Sequence, residues 1–506
     1  MVDSVQTLES FAPASGERIG RVPVATPEDV AETVRRAHDA QAAWGILPVT
    51  ERCERLVRLR DAIVQRAEEI VHVVSLECGK PRAEALVEVT ATAAILSYYC
   101  KHAPSILAPR DIPLTFLKHK KSSVHYFPRG VVGVIAPWNF PFVIPMGDVI
   151  AALVTGSAAV VKPSEVTPLT MEKAKEIFRS TGMPEDLLGV VHGGGTVGSA
   201  LIESGIQKLV FTGGTETGRK VAAACGQNLV PCVLELGGKA PLVACGDCDV
   251  ERTARAIVFG GFFNAGQACI SVERVYAHAS IYDRLVDRVG ELTRDLRVGD
   301  PQKGIVEVGA LTIAKQAEIA ERQIADAVAK GARVVAGGKR HAAGERFFEP
   351  TVLANCNHSM LVMTEESFGP LVPIQRVASD DEGIRFANDS DVGLNAYVFT
   401  DDRARGSRLA ERIRAGSVVV NDVLLNYGSP EAPFGGVKKS GFGRVHGDDA
   451  LRDMAEARHV FSSRIPEPPW DPLWFPYSEK AYVWQARALR ALFGGGGIVE
   501  RIGRLF

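Results

Sequence analysis

At 506 residues the chain is too long for one simple core, so two or three domains are expected. Composition is that of an ordinary globular protein, 46% hydrophobic and 23% charged, and a formal net charge of −2 excludes the basic footprint of a nucleic-acid binder. Nine scattered cysteines, an odd number, argue against a disulfide framework and for a reducing, cytoplasmic setting. The opening MVDSVQTLESFAPASGER has neither a basic n-region nor an apolar h-region, so no signal peptide is expected.

From about residue 26 the pattern predicts long helices, as in TPEDVAETVRRAHDAQAAW and ERCERLVRLRDAIVQRAEEIVHVVSLECGK. KHKKSSVHYFPRG (118–130) alternates polar and apolar residues, as a strand would, and reads as an arm reaching a partner subunit. Residues 131–162 are apolar enough to suggest a membrane span. Pro137, Pro141, Pro145, Asn139 and Asp148 interrupt them, so the reading is two buried strands flanking a helix. Strand–helix alternation continues through SAAVVKP, LGVVHG, KLVFTGG and VPCVLELGG. A second set follows with SVERVYAHA, ARVVAGG, LVPIQRV, AYVFTD and SVVVNDV. The fold class predicted is α/β, with two doubly wound domains meeting near residues 235–270. Cys245 and Cys248 form a CxxC with neither a second pair nor a thioredoxin-like context, so no metal site is predicted.

Two glycine-rich turns follow strands, one with Gly193, Gly195 and Gly198 and one with Gly213, Gly214 and Gly218. Such turns let backbone N–H groups and a helix N-terminus approach a pyrophosphate. Together they predict a dinucleotide, without saying which loop holds its phosphates. In FFNAGQACISVERV (262–275), Cys269 sits among small residues that allow close approach of backbone to a ligand. A buried cysteine is more often an inert small hydrophobe, so this stretch alone leaves the role of Cys269 open.

Seven motifs carry a resemblance: PWNFP (137–141), KPSE (162–165), FTGGTETG (211–218), LELGGK (234–239), FNAGQACIS (263–271), EESFGP (365–370) and PFGGVKKSGFGR (433–444). In this order, over roughly residues 10–460, the chain resembles the aldehyde dehydrogenase superfamily. The resemblance implies a Rossmann-like cofactor domain (1–110 and 130–238) and a catalytic domain (239–454). It also implies an oligomerisation arm (111–129 and 455–465), leaving 466–506 as a C-terminal extension. It makes Cys269 the nucleophile and Glu235, 34 residues earlier, the general base. Asn139 becomes the side-chain donor to the oxyanion, with the Cys269 backbone N–H as the second donor. Chemically, a thiolate adds to an aldehyde carbonyl, the oxyanion needs donors, and the resulting thioester needs an activated water. The cofactor is expected against Trp138, Lys162, Glu165, Gly213, Gly218, Glu366 and Phe368. It should be NAD rather than NADP, because the Glu165 carboxylate repels a 2′-phosphate. A homodimer or homotetramer is implied.

Departures from the family pattern bear on the substrate. Gly214 stands in place of a common Ser, Gly147 and Asp148 in place of Trp and Lys, and Val445 in place of Glu. Asn421-Asp422 and His446-Gly447 lean toward the class-3-like and succinate-semialdehyde-dehydrogenase-like branches. Gly147 with Phe140, Val143 and Phe434 predicts a roomy apolar tunnel for a bulky or medium-to-long-chain apolar aldehyde. A semialdehyde, with NADP use, is the alternative. A CoA-acylating enzyme would not need Glu235, and a non-catalytic family member would be expected to have lost Cys269, Glu235 or Asn139. In the extension, Tyr482, Ala486, Leu489 and Phe493 share a helical face, Gly494–Gly497 end it, and Ile498, Ile502 and Leu505 begin another stripe. The tail is expected to pack on a neighbouring subunit, with peripheral membrane contact as the alternative.

Overall fold

The computed structural model describes residues 6–467, 469, 471 and 474–495. These fall into a large unit, up to Ala108 and Tyr126–Ala457, and a small one, Pro109–His125 and the chain from Arg458 onward. The stripe predicted at Ile498, Ile502 and Leu505 lies outside the described residues.

Helix Pro27–Gly45 starts on a reciprocal cap. Thr26 Oγ1 accepts from Asp29 N at 3.1 Å, and the Asp29 carboxylate accepts from Thr26 N at 2.9 Å, with Pro27 in the first turn. The second long stretch divides into Val49–Gln65 and Ala67–Cys78. The break is at Arg66, whose backbone (φ −104°, ψ 22°) leaves the helical region and re-aims Ile70 and Val74 into the core. Helix Arg82–Ile106 follows.

In the large unit, one sheet runs in the order Gly441–Phe442, Cys232–Glu235, Lys208–Thr212, Val131–Ile135, Ala158–Lys162, Leu188–Val190. All neighbours are parallel except the first pair. Val131–Ile135 and Ala158–Lys162 are buried at every residue, which is why they read as continuous apolar runs. Between them lies helix Val143–Thr155, also wholly buried. No helix among the described residues is long and apolar enough to cross a membrane. Chain order reverses between Val131–Ile135 and Lys208–Thr212, so a crevice is expected outside their carboxyl ends.

The second sheet has seven strands: Arg333–Ala336, Thr351–Ala354, Leu371–Val377, Val272–His278, Ala240–Ala244, Asn395–Phe399 and Ser417–Val420. Only the Arg333–Ala336 edge is antiparallel. The chain returns to the first sheet at Gly441–Phe442, pairing Gly441 with Glu235. A three-stranded sheet of Glu456–Ser463, Lys120–Phe127 and Arg110–Asp111 falls mostly in the small unit, which also holds helix Glu479–Phe493.

Candidate active site

Cys269 sits on the loop that enters strand Val272–His278, and this loop is held in an unusual backbone. Asn264 and Ala265 both take left-handed angles (φ 53° and 54°) and Gly266 follows at 73°. A Cβ on Gly266 would lie 2.1 Å from the Gly369 carbonyl oxygen, so only glycine fits. Strain of this kind persists where the surroundings over-determine it. Here Asn264 Nδ2 donates to the carbonyls of Asn139 (3.0 Å) and Gln267 (3.2 Å), and Gln267 Oε1 accepts from Thr312 N (2.9 Å). Beyond the cysteine, Tyr397 donates to the Ile270 carbonyl and Ser271 Oγ to that of Gly260.

Asn139 lies at the carboxyl end of strand Val131–Ile135 and is buried. Its Nδ2 donates to the Gln267 carbonyl at 3.0 Å, which ties it to the cysteine loop and leaves a second amide hydrogen for another acceptor. Its own carbonyl accepts from Lys80 Nζ at 2.6 Å. Lys80 forms a fully buried ion pair with Glu88 at 2.6 Å, and Glu88 Oε2 accepts from Phe142 N and Val143 N at 3.0 and 3.1 Å. Glu88 thereby caps helix Val143–Thr155 through its carboxylate. One turn earlier, Glu84 accepts from Asn264 N at 3.0 Å. Glu84 and Glu88, four residues apart on helix Arg82–Ile106, thus hold the two loops that carry Cys269 and Asn139.

Glu235 ends strand Cys232–Glu235 and is 5% exposed, with no hydrogen-bond partner on either carboxylate oxygen. It is therefore not the solvated strand-end carboxylate that a surface position would give. Burial holds its carboxyl well above the usual range, Arg444 opposes this and Asp148 adds to it. A buried carboxylate lacking partners is suited to take a proton from a water that enters. The Cys269 thiol is itself pushed up to about 12, first by burial, then by Glu235 and Glu366, while the Cys269 and Ile270 N–H groups pull the other way. Glu366 is raised to about 7 by burial and by Glu273, although it accepts from Gly238 N at 2.8 Å.

Two cavities meet at Cys269. The larger, about 430 Å³, is lined by Trp138, Gly213, Gly214, Glu235, Glu366 and Phe368 among others, and reaches Gly147 and Phe434. It opens at the carboxyl ends where the first sheet reverses order. Helix Thr215–Gln227 begins there at Gly214 with no side-chain cap, so its first N–H groups face a potential anion. A Cβ on Gly218, in its first turn, would sit 2.4 Å from Leu236 Cδ2, so that side chain would have to shift. Phe368 (φ 46°) meets the Trp138 ring edge-on at 5.3 Å, and Glu273 fixes its turn by accepting from Ser367 N and Phe368 N. These features fit a nicotinamide dinucleotide. Lys162 and Glu165 stand at the end of strand Ala158–Lys162, outside that lining. Lys162 Nζ donates to the Pro163 and Gly193 carbonyls at 2.8 and 2.7 Å and lies 3.5 Å from the exposed Glu165 carboxylate.

The smaller cavity, about 170 Å³, is lined by Phe140, Val143, Phe263, Ile270 and Leu424, and no Lys or Arg lines it. Phe140 and Val143 therefore stand on this side of the cysteine, and Gly147 and Phe434 on the other. Sequence reasoning missed Lys80, Glu84 and Glu88, and also Tyr427 and His446, which line the larger cavity; burial holds the His446 ring well below its usual range, at about 4. The only signal was a pair of isolated glutamates four residues apart within an otherwise apolar helix face. Asp148, raised to about 8 by burial against the opposing Lys208, also lines the larger cavity. Cys245 and Cys248 are buried free thiols, and among the described residues no group of three or more His, Cys, Asp or Glu is placed to hold a metal ion.

The model of the aldehyde dehydrogenase family matches residues 1–460. Among curated relatives, 4,4'-diapolycopene aldehyde oxidase of Methylomonas sp is 35% identical over 501 residues, 98% of this chain and 93% of that protein. A putative NADP(+) succinate-semialdehyde dehydrogenase of Mycolicibacterium smegmatis is 38% identical over 454 residues, covering 89% and 88% of the two chains. A solved structure of a Mycobacterium tuberculosis aldehyde dehydrogenase complexed with NAD+ superposes with a TM-score of 0.86 at 32% identity, covering 90% of this chain and 95% of that one.

Proposed function

Given that the chain belongs to the aldehyde dehydrogenase family, and so catalyses NAD(P)-dependent aldehyde oxidation, we propose that Cys269, Glu235 and Asn139 carry the chemistry and that the substrate is a bulky or medium-to-long-chain apolar aldehyde. Cys269 gives its proton to a solvent water and adds through Sγ to the carbonyl carbon. The free amide hydrogen of Asn139 and the Cys269 backbone N–H meet the oxyanion of the tetrahedral adduct. When bound, the nicotinamide cofactor supplies the hydride acceptor that oxidises this adduct to a thioester. Glu235 then takes a proton from a water, which attacks the thioester carbonyl, and the acid departs as Cys269 Sγ is released. The unpartnered buried carboxylate beside Cys269 is what favours this division of roles.

The observation that carries the substrate class is the apolar cavity at Cys269 with no Lys or Arg in its lining. A second carboxylate, as on succinate semialdehyde, would be desolvated there without a cationic partner. The 98% coverage of this chain by the Methylomonas relative, named for 4,4'-diapolycopene aldehyde, agrees with an apolar substrate. A semialdehyde is the second reading, favoured by the name of the Mycolicibacterium relative. For the cofactor, Glu165 favours NAD, because a 2′-phosphate would meet its carboxylate. NADH or NADPH absorbance across a series of alkanals, aromatic aldehydes and semialdehydes tests the reading. It expects kcat/KM to rise with chain length and succinate semialdehyde to trail by at least about tenfold, roughly 1.4 kcal/mol. Preference for succinate semialdehyde would overturn it.

A further inference from the structure

Residues 109–125 and the chain from 458 onward differ in composition from the rest of the molecule. They hold eleven Lys and Arg against five Asp and Glu, whereas the remaining residues hold 47 against 55. A basic unit is thus joined to an acidic body. The same unit carries a concentrated apolar surface. Among the described residues 26 large hydrophobic side chains are exposed, and nine of them fall between Trp474 and Phe493. Phe475 is 82% exposed, Tyr482 67% and Phe493 63%. The Phe493 ring packs on that of Phe116 at 4.8 Å, and Phe116 is itself half exposed, so the loop before strand Lys120–Phe127 extends the patch.

Helix Glu479–Phe493 begins at Ser478, whose Oγ accepts from Ala481 N at 3.1 Å. At 100° per residue Tyr482, Leu489 and Phe493 form one stripe, and Leu492 and Trp484 continue the apolar arc around the helix. Lys480, Arg487 and Arg490 gather on the remaining arc, which also holds Glu479 and Val483. An aromatic-rich apolar arc bordered by Lys and Arg is suited to the headgroup layer. Its rings enter the acyl boundary while its cations meet lipid phosphates. Pairing of this patch with the same patch of a second copy would bring two basic surfaces together, which opposes that one arrangement. We infer that residues 474–493, together with Phe116, dock the protein reversibly on the surface of an anionic lipid bilayer. Sequence periodicity alone favours a lid on a neighbouring subunit; exposure together with the segregation of charge favours the bilayer.

Flotation of the intact protein with phosphatidylcholine vesicles, with and without about one-third phosphatidylglycerol, tests this. The protein should be recovered with anionic vesicles and at least about tenfold less with neutral ones, and roughly 0.5 M salt should weaken the anionic binding. The double variant Leu489→Glu/Phe493→Glu should lower recovery by about tenfold, with oligomer mass and turnover of a small water-soluble aldehyde unchanged. Failure of the intact protein to float with anionic vesicles overturns the inference. A variant that floats like wild type while its oligomer falls apart does so as well, and assigns the patch to a second copy. Flotation needs no turnover, so its outcome is independent of the reaction proposed above.

Discussion

Replacing Lys80 by Met removes one charge from a pair that solvent does not reach, while keeping most of the apolar stem. Lys80 Nζ bonds Glu88 and the Asn139 carbonyl, both at 2.6 Å, and lies 4.2 Å from the centre of the Phe140 ring. After Lys80→Met, Glu88 keeps its two backbone donors at Phe142 and Val143 but has no counter-charge. Breaking one side of such a pair costs about 3–5 kcal/mol. In a cooperative unit of this size that is about 3–5 °C in unfolding midpoint, from the usual unfolding entropy per residue. Asn139 retains Asn264 as a donor to its carbonyl, so the loop should loosen rather than collapse. Because displacement of a positioned group by about 1 Å can cost about 100-fold, kcat should fall by roughly 10–100-fold with a smaller change in KM. Adding Glu88→Leu should restore much of the stability, since no unpaired charge then remains, but not kcat, because Phe142 N and Val143 N lose their acceptor. Differential scanning fluorimetry and steady-state kinetics on a short alkanal measure both. A Lys80→Met enzyme within about 1 °C and twofold in kcat of wild type would refute the claim that this pair holds the Asn139 loop.

Gly147→Ala should be accepted, since the new Cβ would lie 3.5 Å from Ile95 Cδ1 and 3.9 Å from His446 Nε2, and replacing a mid-helix glycine should stabilise by about 0.5–1 kcal/mol by thermal unfolding. Val87→Trp, at a half-exposed position lining the smaller cavity, should penalise bulky aldehydes at least about tenfold more than propanal, and a uniform loss would place the substrate elsewhere. Glu165→Ala should raise the NADP-to-NAD ratio of kcat/KM by about tenfold or more; no change would mean that this carboxylate does not face the ribose. With the Cys269 thiol at about 12, its alkylation by iodoacetamide in cofactor-free protein should climb about tenfold per pH unit from pH 7 to pH 10. A plateau near neutral pH would show a thiol not raised by burial.

Much of the first sheet was legible because its strands are buried on both faces and therefore read as uninterrupted apolar runs, as at Val131–Ile135. Cys269, Glu235 and Asn139 stand in motifs whose order along the chain points to one chemistry. Less legible were contacts between distant segments. Gly441–Phe442 is too short to register as a strand, yet it pairs with Glu235 across some two hundred residues. Lys80 looks like an ordinary helix-flanking charge and Glu88 like one within a helix, and nothing local says that their partners are the backbone at Asn139 and Phe142. Periodicity marked the apolar face at Tyr482 and Phe493, but their degree of exposure belongs to the folded chain.

A thioester should form on Cys269, and Glu235 should resolve it. Intact-mass and peptide mapping of Glu235→Gln, quenched after mixing with an apolar aldehyde and NAD, tests this most directly. Glu235→Gln removes the base but keeps the shape of a side chain whose oxygens have no hydrogen-bond partner to lose. A rapid burst of NADH close to one equivalent per active site should be followed by slow turnover, with the acyl mass on the peptide carrying Cys269. Steady turnover like wild type with no adduct, or an adduct on another cysteine, would contradict it.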